Sequence, residues 1–189
     1  MADHGEDVIT ILTMDHREVE QMFAELDTLR GRGDQRRIRD ITEKAIIELV
    51  KHSVAEEAYL YPATRKYLPG GDALADREIA EHAEAERLMK DLERTDVGDT
   101  AFFTQLSTLM TVIRQHVQEE ETQLFPQLLQ YADADELRHL GSQIKAIKKV
   151  APTRPHPSAP DTPPGNKLMA PGTGLVDRIR DTLTGRGKD

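Results

Sequence analysis

The chain has 189 residues and no cysteine, so it is long enough for one domain of ordinary size and excludes a disulfide framework, a thiolate metal site and a cysteine nucleophile. Its formal net charge of -9 and pI near 5.3 give an acidic surface, which argues against a sequence-independent grip on nucleic-acid phosphates. The opening MADHGEDVIT lacks the basic and apolar stretches of a secretion leader, and no apolar run approaches bilayer length. The expectation is a soluble, cytoplasmic chain with no membrane span and no nucleic-acid partner.

Before residue 150 every segment reads as helix. In the first, apolar residues fall at Ile9, Leu12, Val19, Phe23 and Leu26, and Gly31 and Gly33 end it. The second runs from about Asp34 to Tyr67 through Ile38, Ile41, Ala45, Leu49 and Leu60, with Pro62 placed to kink its last turns and Pro69, Gly70 and Gly71 as the stop. The third, about Asp72 to Glu93, carries Ala75, Ile79 and Met89. The fourth starts near Asp99, a capping residue, and carries Phe102, Leu106, Leu109, Ile113 and Leu124. A shorter fifth, about Asp133 to Lys149, offers Leu137, Leu140 and Ile144 to cover one end of the others. Four long amphipathic helices on short connections make an all-α, antiparallel up-down-up-down four-helix bundle the economical architecture for residues 1–149.

Residues 150–189 divide off by composition. Seven of the ten prolines lie between Pro152 and Pro171, where almost nothing apolar is available to bury, so a flexible, disordered tail is expected. Near its end Leu175, Val176, Ile179 and Leu183 share one face of a short amphipathic helix, too short to be stable alone. A frayed terminus is the simplest reading, and docking on the body or on a protein partner is the alternative.

The apolar stripes are interrupted in register by histidine. His16 fills the gap one turn after Leu12. Leu49 leads to His52 and Glu56 before Leu60; Ile79 leads to His82 and Glu86 before Met89; Ile113 leads to His116 and Glu120 before Leu124. HSVAEEAYLYP (52–62) and HVQEEETQLFP (116–126) repeat 64 residues apart, and Asp15-His16 with Glu20 parallels Glu81-His82 with Glu86 at 66 residues. The first two helices therefore echo the last two, and approximate two-fold symmetry is expected. At about 100° per residue, a position four after a histidine lies about 40° from it and one five after lies about 140° round. Glu56 and Glu120 are the inward pair on that geometry, and Glu57 and Glu121 flank the site unless a local bulge exchanges Glu121 for Glu120.

An unpaired carboxylate in an apolar interior costs several kcal/mol, so buried Glu56, Glu86 and Glu120 beside four histidines call for a cation. Imidazole with carboxylate suits iron, manganese or zinc. Seven donors exceed one tetrahedral zinc, whereas two six-coordinate ions bridged by carboxylates fit the count. A single histidine on an apolar stripe is more often an ordinary core residue; the coincidence across four helices reverses those odds. Glu86 and Glu20 are the weakest members, because Arg17 offers Glu86 an ordinary ion pair and Glu20 suits a rim position. Tyr59, Tyr61 and Phe125 read as wall packing, with a hydrogen bond from a tyrosine near the centre to a bound ligand as the alternative, and His4, His139 and His156 fall outside the pattern as solvated residues.

The order of a lone His, then HxxxE, then His, then HxxxE on four successive helices resembles the hemerythrin-like, or HHE cation-binding, family over roughly residues 6–130. The resemblance implies a non-haem di-iron centre, two oxygen-bridged ions per chain, with His16, His52, His82 and His116 as iron ligands and Glu56 and Glu120 as bridges. Dioxygen, peroxide or nitric oxide are the small ligands it implies. One position departs from the oxygen carriers of that family, which place a second histidine where this chain has Glu86. An anionic oxygen donor there favours the oxidised metal pair, so catalase-like or peroxidase-like chemistry in oxidative stress is expected over reversible oxygen carriage. A redox or iron sensor signalling through the tail, and an iron-storage module, are the alternatives. A ferritin-like centre fits less well, because its motif is ExxH.

Overall fold

In the computed structural model the described residues are 6–31, 33–184 and 186–187. Aspartates begin the helices where an unpaired first-turn amide needs an acceptor. Asp7 accepts from the Thr10 amide to start α1 (Val8–Leu29), and Asp34 from the Arg37 amide to start α2 (Gln35–Ala55). Asp99 starts α5 (Thr100–Glu119) and Asp133 starts α7 (Ala134–Lys148) in the same way. Gly70, at φ 73, makes the left-handed turn that a side chain would resist and lets α4 (Gly71–Arg94) fold back.

Two of the four rods are interrupted at equivalent points. After α2 the chain makes one π-helical turn, Glu56–Leu60, before α3 (Tyr61–Tyr67); after α5 it makes another, Glu120–Leu124, before α6 (Phe125–Tyr131). Pro62 and Pro126 follow each turn. Proline donates no amide and its ring crowds the carbonyl four residues back, so the widened turn absorbs what would otherwise be a kink. The sequence marks the first disturbance through Pro62; the structure gives its form and repeats it before Pro126.

The rods α1, α2 to α3, α4 and α5 to α6 run antiparallel, as the short connections require, with α7 across one end. α7 approaches the start of α1 closely at Gly141, where a Cβ would stand 2.4 Å from the Glu6 carbonyl oxygen. The apolar interior forms two clusters. One gathers Val8, Leu12, Leu60, Leu128 and the α7 residues Leu140 and Ile144; the other gathers Phe23, Ile46, Met89, Phe102 and Leu109. Between them lies a layer of histidine and glutamate. Among the described residues no helix is long and apolar enough to cross a membrane.

The tail differs from its sequence reading. Residues 165–184 form a helix, α8 (Gly165–Thr184), and Ala151, Pro152, Thr153 and Pro155 are buried on the way to it. α8 buries its polar side, with Asp177 fully buried, and exposes Leu175, Val176 and Ile179. Composition counts only apolar burial, whereas this segment is held by charges and hydrogen bonds. The side chain of Leu183 lies outside the described residues, as does His4.

Candidate metal centre

Each rod contributes one histidine to the polar layer, and all four are buried. Their Nε2 atoms meet in pairs: His16 faces His52 at 3.2 Å, and His82 faces His116 at 3.2 Å. Each Nδ1 is occupied by a carboxylate from a neighbouring rod. His16 Nδ1 lies 3.0 Å from Glu121, His52 Nδ1 3.2 Å from Asp15, His82 Nδ1 3.0 Å from Glu57, and His116 Nδ1 3.0 Å from Glu81. The supports form a closed ring, in which every rod orients the histidine of the next.

This outer ring fixes the tautomers. With Nδ1–H directed at a carboxylate, a neutral imidazole presents a lone pair at Nε2. Two lone pairs facing each other at 3.2 Å repel unless a proton or a metal cation lies between them. The separation is also what two nitrogens about 2.1 Å from a common ion show at ordinary coordination angles, about 3.0 to 3.4 Å.

The carboxylates complete the case. Glu56 and Glu120 have no exposed surface. Glu56 Oε1 is 3.1 Å from His52 Nε2 and its Oε2 is 3.4 Å from His82 Nε2, so it reaches both pairs. Glu120 Oε2 lies 3.5 Å from His16 Nε2 and 3.7 Å from His116 Nε2. Both oxygens of Glu56 and Oε2 of Glu120 lack a directed hydrogen bond, an arrangement expensive in a protein interior and natural for atoms that face a cation. His16, His52, Glu56 and Glu120 converge as one donor set, and Glu56, His82 and His116 as another. Nitrogen and carboxylate donors in this ratio fit iron, manganese or zinc.

Glu86 is the sequence candidate that the structure does not bring into these sets. Its Oε1 accepts a 2.8 Å hydrogen bond from the His156 amide of the tail. Glu20, at the equivalent place on α1, pairs with Arg114 at 2.8 Å on the surface. A step of about 40° carries a carboxylate toward the axis or away from it, depending on which edge of the stripe its histidine occupies. On α2 and α5 it turns inward; on α1 and α4 it turns into a groove. Arg17 pairs with Glu121 at 3.0 Å rather than with Glu86. His156 is half-buried against Asp177 rather than solvated, and His139 is exposed.

Besides the exchange of Asp15 for Glu81 in the outer ring, two differences set the halves of the site apart. Tyr61 Oη lies 2.9 Å from His82 Nε2 and 3.4 Å from Glu120 Oε1, while its counterpart Phe125 stacks on His16 with ring centroids 5.8 Å apart. Glu78, buried at the place equivalent to Leu12, sits 3.1 Å from His116 Nδ1 and converges with His116 and Glu120. Sequence reading takes Tyr61 first as wall packing, passes over Glu78, and uses Asp15 and Glu81 only as repeat markers. The signal for the latter pair is an acidic residue directly before His16 and His82.

Without metal, protons do the compensating. Burial pushes the His52 imidazolium down, but Glu56 and Asp15 outweigh it and raise its pKa to about 10; His82, buried and opposed by Glu56 and Glu57, rises to about 9. Burial would raise Glu56, yet His52 holds it well below the usual carboxylate range. A histidine pKa raised by folding stabilises the fold fully below its unfolded value near 6.5, and that contribution is lost as pH climbs through the folded value. The melting temperature of chelator-treated protein is therefore expected to fall between about pH 6.5 and 10, while metal affinity rises as the protons leave. A flat melting temperature across that window would contradict the arrangement.

A cavity of about 290 Å³ opens between α1 and α5 and ends on all four histidines. Val19, Phe23, Leu49 and Ile113 wall it, and the ion pairs Arg17–Glu121 and Arg114–Glu20 stand at its rim. It gives a small molecule an apolar route to the donor sets.

A bundle that buries paired imidazoles and shared carboxylates between two apolar clusters defines a cation-binding helical protein. Residues 7–128 match the hemerythrin HHE cation-binding domain, and the chain belongs to that family. It is 28% identical over 170 residues to an uncharacterized hemerythrin-like protein of Schizosaccharomyces pombe, covering 89% of this chain and 82% of the relative. It is 25% identical over 138 residues to a DNA nickase of a Nostoc species, covering 73% of this chain but only 38% of that protein's length. The crystal structure of a hemerythrin HHE cation-binding domain-containing protein from Mycobacterium kansasii shares the fold, with a TM-score of 0.65 at 20% identity over 76% of this chain and 86% of that one.

Proposed function

We propose that the chain is a non-haem di-iron protein that reacts with small oxygen species, peroxide first among them. The observation that carries this reading is the open cavity ending on all four imidazoles, beside two donor sets that share Glu56, with Glu120 near one histidine of each. Iron bound there would supply the electrons that peroxide decomposition exchanges. The chain's own residues do the rest. The carboxylate ring keeps each Nε2 lone pair inward, Glu56 and Glu120 tie the two sets together, and the apolar wall limits bulk water at the site. Glu78 adds a buried carboxylate on one side, which favours the more highly charged metal state.

The test is peroxide consumption and oxygen release by iron-loaded protein. Turnover proportional to iron content supports the proposal, and its absence from fully loaded protein would sink the oxygen-species reading while leaving cation binding intact.

A further inference from the structure

The two-fold repeat that relates the halves of the bundle relates two grooves as well. The open groove between α1 and α5 presents Arg17, Glu20, Phe23, Gln118 and Glu121. Shifted by 66 residues on one wall and 64 on the other, these positions become Ala83, Glu86, Met89, Val54 and Glu57, which line a groove between α2 and α4. That groove also ends on a histidine of the centre, His82. Its free volume is only about 70 Å³, against about 290 Å³ for its mate, because Pro152, Arg154, His156, Pro157 and Ala159 to Asp161 lie across it.

The covering segment is held by polar groups. On α4 of the bundle its hydrogen bond is the His156 amide on Glu86. Behind it, Asp177 of α8 is fully buried, and its Oδ2 accepts from the Thr153 amide at 3.1 Å, the Arg154 amide at 3.1 Å and His156 Nε2 at 2.9 Å. Arg154 bridges Asp181 at 2.6 Å and Glu93 at 3.7 Å. α8 contributes little apolar attachment, since Leu175, Val176 and Ile179 face outward at 61, 56 and 54% exposure. A segment anchored mainly through two buried aspartates of α8, Asp177 and Asp181, rather than through a hydrophobic face of that helix, opens locally at a free energy well below that of the bundle.

We propose that residues 152–161 are an intramolecular plug closing a second entrance to the cation centre, and that α8 is the latch that holds the plug in place. The entrance beneath it repeats the register of the open one, so its release exposes His82 from the α2/α4 side and converts a one-door centre into a two-door centre. The inference stands on the grooves themselves and is independent of which cation the site holds.

Because the chain has no cysteine, a single introduced thiol reports access at one place. Ala83→Cys lies beneath the plug; Gln118→Cys lies at the rim of the open groove. Both are made in the full chain and labelled with a maleimide. Ala83→Cys is expected to react at least about tenfold more slowly than Gln118→Cys, and Asp177→Ala to accelerate Ala83→Cys about tenfold while leaving Gln118→Cys unchanged. Glu86→Ala, which leaves the latch intact and removes the bond at the bundle, is expected to act in the same direction. The proposal is overturned if Ala83→Cys already reacts as fast as Gln118→Cys, if it stays slow with both Asp177→Ala and Glu86→Ala, or if the two thiols accelerate together.

Discussion

Alanine at His52 and His116 together is expected to lower bound iron from about two ions per chain to less than about a tenth of that, measured by elemental analysis on untagged protein. The two substitutions remove one member of each facing pair, so each donor set keeps a single imidazole and shares carboxylates that no longer have two ions to bridge. Substitutions in the outer ring should act more gently. Glu81→Gln keeps an acceptor for His116 Nδ1, 3.0 Å away in the native protein, and is expected to weaken metal binding by about 10- to 100-fold rather than abolish it. Helical circular dichroism close to that of the native protein would confirm that the double variant still folds. Near-native iron content in it would mean that the metal is held elsewhere.

That contrast follows a division already visible in what the sequence could and could not reveal. The helices were legible because Asp34, Asp99 and Asp133 stand at their starts, and because the period of apolar residues survives along each rod. The inner ligands were legible for the same reason, since His52 with Glu56 and His116 with Glu120 keep helical spacing. Three features escaped. Glu86 obeys that spacing yet turns into a groove, because rotation along one helix does not say which neighbour lies beside it. Tyr61 lies five residues past Glu56, a distance that points away from the site on an α-helix; the i to i+5 turn between them brings it back over the same face. The tail escaped because its anchoring is a buried aspartate meeting backbone amides, a match that is specific to three-dimensional position and leaves no periodic trace. Pro62 and Pro126 do leave a trace: a repeated proline inside an otherwise continuous rod marks where the backbone departs from the α form.

Glu56→Gln should separate the two ways in which this interior neutralises its charge. The substitution keeps the shape and removes the carboxylate whose two oxygens each approach a different histidine pair, at 3.1 Å from His52 Nε2 and 3.4 Å from His82 Nε2. For the native protein, zinc present at about a thousandfold over its dissociation constant should add about 4 kcal/mol, or about 8 to 16 °C in melting temperature for a domain of this size. In Glu56→Gln the increment is expected to shrink to below about 3 °C, since an amide oxygen is a poor bridge between two cations. The metal-free proteins test the protons instead. Removing one partner of a buried charge pair leaves the His52 and His82 imidazoliums short of compensation, so the variant should be less stable than the native chain near neutral pH. It also removes a main cause of the raised pKa of His52 and His82, so the loss of stability with rising pH should begin earlier and be shallower. An undiminished zinc increment, or an unchanged pH profile without metal, would show that Glu56 is an ordinary buried side chain. The paired result, a lost metal increment together with a weakened pH dependence of the metal-free fold, is the signature of a carboxylate whose charge is matched by a cation when metal is bound and by protons when it is not.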